Sequence, residues 1–597
     1  MSKPDFHFNF CLKSYSAILF LMLAFFPLAG QEIYVRYNQL GYMPGEDKIL
    51  LIMTETPLSS GVTVKSNKSS RSSDVKTVKM ESGVWGKFRH QYLADVSFLT
   101  EIGQYEVIHA GQTTATIAVK NQPYSPHTTD LLSFMRQQRC GYNPYFGVVC
   151  HQQDGKLFYG PVSDSTFYDF SGGWHDAGDQ LKYLITGSNA TARLLMSYEV
   201  SPDSFEDRVD VLGHPNQNGI PDILDEAKWG LDWILKLHPQ KDWLIHQIAD
   251  DRDHKGFKLP DADNADYGWG ENSYRPAYFA NGQPQGLNKW QSESTGISNL
   301  AGRCAAALAI GARIFEDIDS GFALRCRNAA VELFEMGEKN PGFQQGNSYG
   351  APYRYNEDSW HDDMEWGAAE LYRLTGDQEY LKKSIHHARQ IAADGWMMRD
   401  SMNHYQKYPF MNMGHYSLFS VAPADVRDSL AMWYRMNIEN VLKRAATNAF
   451  QIGVPFIWCS NNLMVNFITQ VALYEKMTGD HQFHAGMLMH RDWLLGRNPW
   501  GTSMFTGIPA GGEYPVDVHL PSTVLIQDTP PGGLIDGPVY RSIYDNLLGL
   551  TLLEPDEFAD FQNDYVTYHD DIGDYSTNEP TMDGTADAIL MWVLLEK

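Results

Sequence analysis

The spacing of hydrophobic residues changes near residue 120, and this change constrains the fold more than any other feature of the sequence. Before it, apolar and polar residues alternate in short runs, such as Ile33–Tyr37 and Ala115–Val119, between turn-prone segments. Such alternation is typical of half-buried strands. After residue 125, apolar residues recur every three to four positions, as in Ile223–Leu235, and this spacing predicts amphipathic helices. The chain therefore divides into a β-rich region and a helical region.

Each region has a preferred architecture. Short strands at this spacing predict an immunoglobulin-like sandwich at residues 31–120. Residues 125–597 are predicted to form an all-α domain. Within it, Leu371–Asp377 and Leu473–Asp480 share a Leu-Tyr opening and a Thr-Gly-Asp ending, and each lies between two amphipathic helices. Gly can end the first helix and Asp can cap the next, so the repeat predicts a toroid or solenoid of paired helices.

Residues 1–30 have the composition of an export signal. Lys3 and Lys13 flank an apolar stretch, Ala17–Leu28, that ends at two small residues. We predict a cleaved signal peptide and a secreted or periplasmic protein, with an uncleaved N-terminal anchor as the alternative. The apolar stretch is shorter than a typical transmembrane span, so no membrane contact is expected after cleavage.

The charge balance restricts the partners of this protein. The chain has 73 acidic and 47 basic residues, which gives a formal net charge of −26. Such a field repels phosphate backbones and anionic membranes. We therefore expect no nucleic-acid partner and a neutral or cationic substrate. Cys11 lies in the predicted signal peptide, and the odd number of remaining cysteines argues against a disulfide scaffold.

Two carboxylates lie three positions apart in the segment Gly172–Asp179, which reads Gly-Gly-Trp-His-Asp-Ala-Gly-Asp. The small residues between Asp176 and Asp179 allow a tight turn and a close approach of other groups. Paired carboxylates can hold and deprotonate a water molecule, which is the task of a general base. The alternatives are a capped turn rich in Asp or a calcium-binding loop.

A second carboxylate segment precedes the last predicted helix. Asp570–Pro580 is aromatic and polar and contains Glu579. A carboxyl group that stays protonated there could donate its proton to a leaving oxygen. The alternative is an ordinary glutamate at a helix start, where the helix dipole favours it.

Together the two segments resemble glycoside hydrolase family 9, the cellulase family. Ser171–Asp179 is similar to the Asp-Ala-Gly-Asp signature of that family, and Asp574–Glu579 is similar to its C-terminal signature around the general acid. Ile33–Pro44 resembles the start of the immunoglobulin-like domain that precedes many of its catalytic domains. The resemblance covers nearly the whole mature chain, and it implies an (α/α)6 barrel and an inverting mechanism.

The resemblance also implies roles for individual residues. By position, Asp179 is the base that activates water, Asp176 helps to hold that water, and Glu579 protonates the glycosidic oxygen. Tyr575 and Asn578 would line the same wall, orient Glu579 and contact the substrate. Inversion needs room for the water, so the two reacting carboxyl groups are expected about 6.5–9.5 Å apart.

A set of thiols and imidazoles lies around the first carboxylate segment: Cys140, Cys150, His151 and His175. Two thiolates and two imidazoles suit a closed tetrahedral zinc site. Relatives with the N-terminal domain carry a structural zinc with this pattern, so the resemblance implies zinc here, in a positioning role. The alternative is a Cys140–Cys150 disulfide.

An acidic segment follows in the middle of the helical region. Asp362 and Asp363 lie close to Asp358, and adjacent carboxylates supply the hard oxygen ligands that calcium prefers. The pair Asp362 and Asp363 aligns with a calcium-binding pair in several family members, which implies a calcium site. The alternative is a solvated helix N-terminus.

The loop Gly511–Ser522 departs from the family pattern. Cellulases of the family usually carry a Pro-rich loop that ends in His-His-Arg and contacts the sugar, whereas only His519 remains here. We expect His519 to contact the substrate, with a loop-packing histidine as the alternative. The missing His and Arg leave the acid and the base intact, but they weigh against cellulose and against endo-action.

Several tryptophans are candidate platforms for sugar rings, with burial in the core as the alternative for each. They are Trp174, Trp290, Trp360 and Trp458.

These features predict a monomeric, inverting hydrolase of β-1,4-glucosidic bonds in a β-glucan or gluco-oligosaccharide, without an organic cofactor. An exo-acting β-glucosaminidase or a cellodextrinase is the first alternative, because acidic residues would suit a cationic amino sugar. A carbohydrate-binding protein without turnover is a second alternative, and a calcium-dependent adhesion protein is a third.

Overall fold

The computed structural model describes most of the mature chain. The described residues are 31–68, 71–81, 84–164, 166–346, 348–350, 355–403, 405–408 and 412–596. The predicted signal peptide, residues 1–30, lies outside them. In the described part of the chain, no helix combines the length and the apolar content that a membrane crossing requires.

Among the described residues, the N-terminal region forms two antiparallel sheets of four strands each. The strands are β1 Tyr34–Arg36, β2 Ile49–Thr54, β3 Val62–Ser66, β4 Ser72–Val75, β5 Thr77–Met80, β6 His90–Asp95, β7 Gly103–His109 and β8 Gln112–Val119. One sheet has the order β1-β2-β6-β5 and the other has the order β4-β3-β7-β8. The predicted immunoglobulin-like sandwich is confirmed.

The continuous apolar run of β2 has a structural reason. Successive side chains of a strand point to opposite faces. Leu50 and Ile52 are buried in the core of the sandwich, whereas Leu51 and Met53 belong to the core of the helical domain. The strand is therefore buried on both faces, because the helical domain packs against its sheet.

Helices dominate the rest of the chain. They are α1 Thr128–Gln137, α2 Leu184–Val200, α3 Asp222–Leu237, α4 Ser298–Phe315, α5 Ser320–Lys339, α6 His361–Thr375, α7 Gln378–Ile391, α8 Met413–Phe419, α9 Ala424–Ala445, α10 Ser460–Thr478, α11 His484–Leu494, α12 Pro521–Ile526, α13 Arg541–Tyr544 and α14 Met582–Leu595. Short strands lie in the loops: β9 Tyr142–Asn143, β10 Val148–Val149, β11 Asp154–Phe158, β12 Lys182–Tyr183, β13 Ile245–Ile248, β14 Arg275–Phe279, β15 Leu534–Ile535, β16 Val539–Tyr540, β17 Val566–Thr567 and β18 Pro580–Thr581.

The long helices form two concentric rings. In the described residues, α2, α4, α6, α8, α10 and α14 each pack against the next, and α14 packs against α2 to close the inner ring. The helices between them in sequence pack on the outside: α1, α3, α5, α7, α9 and α11. The predicted (α/α)6 barrel is confirmed. Because inner and outer helices alternate along the chain, every inner helix begins at the same end of the barrel, and the long loops collect there.

The repeated Leu-Tyr motif closes two of these helical hairpins. Gly376 follows α6 and Gly479 follows α10, both with left-handed backbone (φ of 73° and 72°) that glycine adopts without strain. Asp377 then caps α7 by accepting the backbone N–H of Glu379. Asp480 instead accepts the N–H of Gln482 at 3.0 Å in a turn ahead of α11, so the two copies differ in how the second helix starts.

A buried charge network joins the sandwich to the barrel. Arg491 of α11 donates to Glu46 of the sandwich at 2.7 Å and pairs with its neighbour Asp492. Asn38 donates to the same Asp492 carboxylate at 3.0 Å. A buried charge is tolerated only when it is paired and hydrogen-bonded, so these contacts fix one relative position of the two domains.

Candidate active site

The turn that carries Asp176 and Asp179 lies between β11 and β12, at the loop-rich end of the barrel. Thr186 of α2 donates to Asp176 Oδ1 at 2.8 Å, and the Tyr355 hydroxyl donates to Asp176 Oδ2. The Leu181 N–H donates to Asp179 Oδ1 at 2.8 Å. Burial and the nearby Asp179 charge raise the pKa of Asp176 well above its usual range. The two carboxylates are therefore held rigidly, side by side, at the mouth of the inner ring.

Gly178 brings this turn against Glu579. Its N–H donates to Glu579 Oε1 at 2.9 Å. A Cβ atom at this position would lie 2.8 Å from the same oxygen and would also strike the carbonyl oxygen of His519. Real Cβ atoms essentially never approach this closely, so the sequence Asp-Ala-Gly-Asp needs its glycine for close approach. The predicted acid thus lies directly beside the turn that bears the predicted base.

The segment Asp570–Pro580, which we call the acid loop because it carries the predicted acid, is organised around Asp574. One oxygen of this buried carboxylate accepts the N–H and hydroxyl of Ser576 and the N–H of Thr577. The other accepts the Thr577 hydroxyl at 2.8 Å and lies 2.8 Å from His569 Nδ1. The local sequence Asp-Tyr-Ser-Thr folds into a tight turn because its own side chains satisfy the backbone donors. The turn presents Glu579 just before β18 and α14.

The surroundings of Glu579 favour its protonated form. Burial raises the pKa of its carboxyl well above its usual range, and the charges of Asp536 and Asp179 raise it further. The Gly178 N–H opposes this shift. A carboxyl group that stays protonated can act as a general acid, whereas a neighbouring ionised one can act as a base.

Some residues of the site carried no recognisable pattern in the sequence. Tyr355, from the loop before α6, contacts Asp176, and His254 Nε2 lies 3.2 Å from Asp179 Oδ2. Asp583, in the first turn of α14, accepts the hydroxyls of Tyr405 and Tyr408 at 2.6 Å and 3.0 Å. Each of these residues comes from a different loop or helix end. The sequence alone could not show that they meet, because only the fold brings them together. The one usable signal was the helix-start position of Asp583, directly after the acid segment.

Comparison with known proteins agrees with this arrangement. The model of glycosyl hydrolase family 9 matches residues 124–594. The chain belongs to glycosyl hydrolase family 9. The predicted family and enzyme class, a glycoside hydrolase of the cellulase type, are therefore confirmed.

Individual relatives are distant. The family 9 chain is 26% identical over 627 aligned positions to endoglucanase C of Cellulomonas fimi, covering 94% of this chain and 51% of that enzyme. It therefore spans about half the length of that relative. It is 24% identical to a xyloglucan-specific endo-β-1,4-glucanase of Bacteroides ovatus, covering 84% of this chain and 85% of the relative.

Solved structures share the fold. A metagenome-derived family 9 endoglucanase superposes with a TM-score of 0.75 at 22% identity, covering 94% of this chain and 99% of the other. At this identity the likeness concerns the two-domain fold alone.

Three of the predicted sugar contacts come together on one wall of this family 9 site. The rings of Trp458 and Tyr575 lie 5.8 Å apart, and that of His519 lies 6.1 Å from Tyr575. All three side chains are half-buried. His519 also packs on Phe257 and bonds through Nδ1 to the carbonyl of Ile572 at 2.6 Å. The wall combines flat apolar faces with polar edges, as sugar rings require.

Three other predicted contacts need correction. Trp174 is 1% exposed, and its Nε1 donates to the buried Glu226 at 2.8 Å, so it is a core residue. Asn578 is fully buried and donates to Asp517 and Asp570, so it braces the acid loop and does not reach a sugar. Trp360 stacks on His361, in a cleft lined by none of the predicted catalytic carboxyls.

The predicted zinc ligands converge. The ligand atoms of Cys140, Cys150, His151 and His175 all lie within 4.8 Å of one another. The Cys140 Sγ–His151 Nδ1 distance is 3.8 Å, and the distance from that Nδ1 to His175 Nε2 is 3.1 Å. Bonds of about 2.3 Å from sulfur and about 2.0 Å from nitrogen give edges of this size in a tetrahedron. Both cysteines are free thiols, so the alternative disulfide is not formed.

A supporting contact completes this cluster. His151 Nε2 lies 3.2 Å from the Asp263 carboxylate. Metal-bound histidines commonly place their second nitrogen on such a carboxylate, which fixes the tautomer and the ring orientation. The donor set and its support therefore fit zinc.

The predicted calcium pair has a different environment. Asp362 and Asp363 converge with Glu357, but Arg303 of α4 donates to both Asp363 and Glu357 at 2.7 Å. Calcium takes six to eight oxygen ligands, and a guanidinium already uses two of the available oxygens. The residues fit calcium poorly. The calcium site stays a prediction and enters no step of the mechanism.

Proposed function

We propose that this protein is an inverting glycoside hydrolase that cleaves β-1,4-glucosidic bonds in a β-glucan or gluco-oligosaccharide. The observation that carries the proposal is the hydrogen bond from the Gly178 N–H to Glu579 Oε1, at 2.9 Å. It holds the proposed acid against the turn that bears Asp179. The raised pKa of Glu579 and the membership of the chain in glycosyl hydrolase family 9 support the same assignment.

The steps follow from the two carboxyl groups. Glu579 donates its proton to the glycosidic oxygen as the bond to the anomeric carbon breaks. Asp179 takes a proton from a water molecule, which attacks the opposite face of the sugar. Asp176, held by Thr186 and Tyr355, accepts a hydrogen bond from that water and fixes its position. The Trp458 and Tyr575 rings lie where they can support the sugar next to the acid.

Product analysis tests this function. Wild type and Glu579→Gln are incubated with β-glucan, xyloglucan, cello-oligosaccharides and chitosan oligosaccharides, and the products are separated by chromatography. Proton NMR of the first product records its anomeric configuration, and the α-anomer is expected. A first product in the β-configuration would contradict inversion. Absence of turnover by wild type on every substrate would leave the alternative of a carbohydrate-binding protein.

A cationic amino sugar is the second candidate substrate, as in an exo-acting β-glucosaminidase. The observation that favours it is the density of acidic groups, since the charges of Asp536, Asp179 and Asp176 all raise the pKa of Glu579. The loop at His519 contributes one imidazole where the family usually has two and an arginine. Single glucosamine units released from chitosan oligosaccharides would establish this reading. Single glucose units from cello-oligosaccharides would establish a cellodextrinase.

We further propose that Cys140, Cys150, His151 and His175 hold a structural zinc ion. The Cys140 N–H donates to the Gly173 carbonyl, and the His175 N–H to the Gln138 carbonyl, at 2.9 Å and 2.8 Å. The cluster thus ties the end of α1 to the turn that carries Asp176 and Asp179. A bound zinc ion would supply rigidity there and would not touch the substrate. Metal analysis of the purified protein, with Cys150→Ser as the comparison, tests the assignment.

A further inference from the structure

A second set of side chains that could hold a metal ion lies far along the chain from the cysteine cluster. Glu475, His481 and His484 place their ligand atoms within 4.8 Å of one another. We call these three residues the hairpin triad, because they lie where α10 ends and α11 begins. The cysteine cluster, by contrast, belongs to the segment before α2.

The geometry of the hairpin triad is set by its turn. Glu475 lies in the last turn of α10, which Gly479 ends. The His484 N–H donates to the His481 carbonyl at 3.1 Å, so the two imidazoles are one turn apart and on the same side. His481 Nδ1 lies 3.0 Å from Glu475 Oε2, and His484 Nδ1 lies 3.1 Å from Glu475 Oε1. Both histidines therefore present the same ring nitrogen to one carboxylate.

These distances are compatible with the ligand spacing of a metal site, and they also lie in the range of histidine–carboxylate hydrogen bonds. With zinc–ligand bonds of about 2.0–2.1 Å, neighbouring ligands of a tetrahedral ion lie about 3.3 Å apart. Imidazole nitrogen together with carboxylate oxygen suits zinc, nickel or copper. The Glu475 side chain is 10% exposed and that of His481 is 70% exposed, so one side of the triad is open to solvent. Water can complete the coordination there.

We propose that the hairpin triad binds a divalent transition-metal ion of the zinc type. The ion would join the end of α10 to the start of α11. The charges of Arg491 and Glu46 act on the pKa of His484, so the triad lies near them. Those two residues form the buried ion pair between barrel and sandwich. The proposed ion thus strengthens the hairpin beside the domain junction, and it does not depend on the catalytic proposal.

Metal titration of the full chain tests this site. The protein is stripped with a chelator and titrated with Co²⁺, followed by absorption spectroscopy and calorimetry. Cobalt in the cysteine cluster gives thiolate charge-transfer bands, whereas cobalt in the hairpin triad gives only weak ligand-field bands. Wild type is expected to take two equivalents, and the double variant His481→Asn, His484→Asn is expected to take one, with its thiolate bands intact. His386→Asn, an exposed histidine of α7, is the matched control.

Either of two results would overturn the proposal. One is a wild type that takes up no second, thiolate-free equivalent. The other is a double variant that keeps it. His481 is exposed and His484 is half-buried. Because the thiolate bands report the fold of the other site, loss of folding would be recognised separately.

An independent observation concerns Asp536, beside the proposed acid. Its N–H donates to the Glu579 carbonyl at 2.9 Å, so the two residues are neighbours across the β15–β18 pair. Its carboxylate accepts Trp458 Nε1 at 3.0 Å and the Cys459 thiol at 3.1 Å. Asp536 is 1% exposed, and burial raises the pKa of its own carboxyl well above its usual range, so its negative charge develops only as the pH rises. Both of its oxygens have protein partners, so it acts through other residues and not on the substrate.

We infer that Asp536 is a positioning residue that keeps Glu579 in its acid form and fixes the Trp458 ring on the sugar-binding wall. This inference rests on the proposed function. Several other titratable groups face Glu579 from the elements packed around it, and they set the background against which Asp536 acts. They are Asp176 and Asp179, on the turn that we call the base turn, Cys459 before α10, and Tyr575 of the acid loop. Asp574 of the acid loop and Asp583 of α14 act on Asp536 itself.

The variant Asp536→Asn removes the ionisable carboxyl and keeps the shape of the side chain. The alkaline limb of kcat/KM is expected to move to lower pH, because the charge of Asp536 raises the pKa of Glu579 and the variant lacks that charge. KM is expected to rise, because one of the two acceptor oxygens becomes an N–H donor and either the Trp458 indole or the Cys459 thiol loses its acceptor. The control is Glu379→Gln, which removes an exposed charge on α7 and should leave the profile unchanged.

An alkaline limb that stays in place in an active, folded Asp536→Asn would overturn the inference while leaving the proposed function intact. Asp536→Ser serves as a second variant if the first does not fold. Absence of wild-type turnover would instead refute the proposed function, so the two failures are distinguishable.

Discussion

The two sides of the proposed catalytic site are built in different ways. The base turn is short, and Asp176 and Asp179 are held by residues close in sequence, such as Leu181 and Thr186, with Tyr355 added from outside. The acid loop lies within the long segment between α11 and α14, and the setting of Glu579 depends on distant residues. The local turn is enough to present the carboxylate of Asp179, whereas the acid needs a low-dielectric setting that only packing provides.

The largest expected effect comes from removing either reacting group. Glu579→Gln and Asp179→Asn should each lower kcat by about 10⁴-fold on natural oligosaccharides. On aryl glycosides with good leaving groups, the kcat of Glu579→Gln should fall much less, because departure of the aryl group needs little protonation. The kcat of Asp179→Asn should fall equally on both substrate types, since a water molecule must be activated in either case. Equal losses for the two variants on both substrate types would contradict the division of roles.

The next largest effect is expected from Asp574→Ala, which tests whether the turn around Asp574 holds the acid loop in place. Asp574→Ala leaves the donors of Ser576, Thr577 and His569 without their shared acceptor, at about 1–3 kcal/mol for each buried unsatisfied group. We expect a lower melting temperature and a severe loss of activity. Thr186→Val, which removes one donor from the base turn, is the matched comparison and should cost less on both measures. The comparison fails if Thr186→Val proves the more damaging change.

Gly178→Ala tests the contact between the two sides. The added Cβ meets Glu579 Oε1 and the His519 carbonyl, so the two carboxyl groups must separate. A misplacement of about 1 Å can lower a rate by about 10²-fold, and we expect a loss of kcat of that size together with a lower melting temperature, because the Cβ meets the backbone carbonyl of His519. Ala177→Gly, the adjacent position, serves as the control. Full activity of Gly178→Ala would show that the close approach is unimportant.

The pH dependence follows from the raised pKa of Glu579. The acid must be protonated to act, and a pKa raised above its ordinary value extends the protonated range upward. Activity should therefore persist above the usual glutamate range and fall only as the pH rises through the folded-state pKa. Kinetics of kcat/KM between acid and alkaline pH measure this limb. An alkaline limb at an ordinary glutamate pKa would contradict the burial argument.

The smallest effect is expected at His254, which lies on Asp179. Burial lowers the pKa of His254, but the hydrogen bond and the charge of Asp179 outweigh it, so the net shift is upward. The imidazole is partly exposed, and such a pair contributes about 0.2–1 kcal/mol. His254→Gln should therefore change kcat by less than about fivefold. A loss near that of Asp179→Asn would place His254 in the catalytic machinery.

The sequence predicted much of the architecture because periodicity and helix ends are local. The two glycines after the Leu-Tyr repeats end α6 and α10 as expected, and the alternating runs form strands. The carboxylate segments were recognisable because each folds around its own side chains. The sugar contacts were predicted less well, since a tryptophan such as Trp174 has the same local pattern whether it faces a cleft or a core.

By itself, the sequence determined the order of the two domains, the two carboxylate turns and the four-residue set of thiols and imidazoles. Only the tertiary structure decided that Gly178 touches Glu579, that Asp536 lies beside Glu579, and that Arg303 pairs with Glu357 and Asp363. The reason is physical. Turns and helix ends depend on neighbours within a few residues, whereas burial and charge–charge contact depend on segments that only the closed barrel brings together.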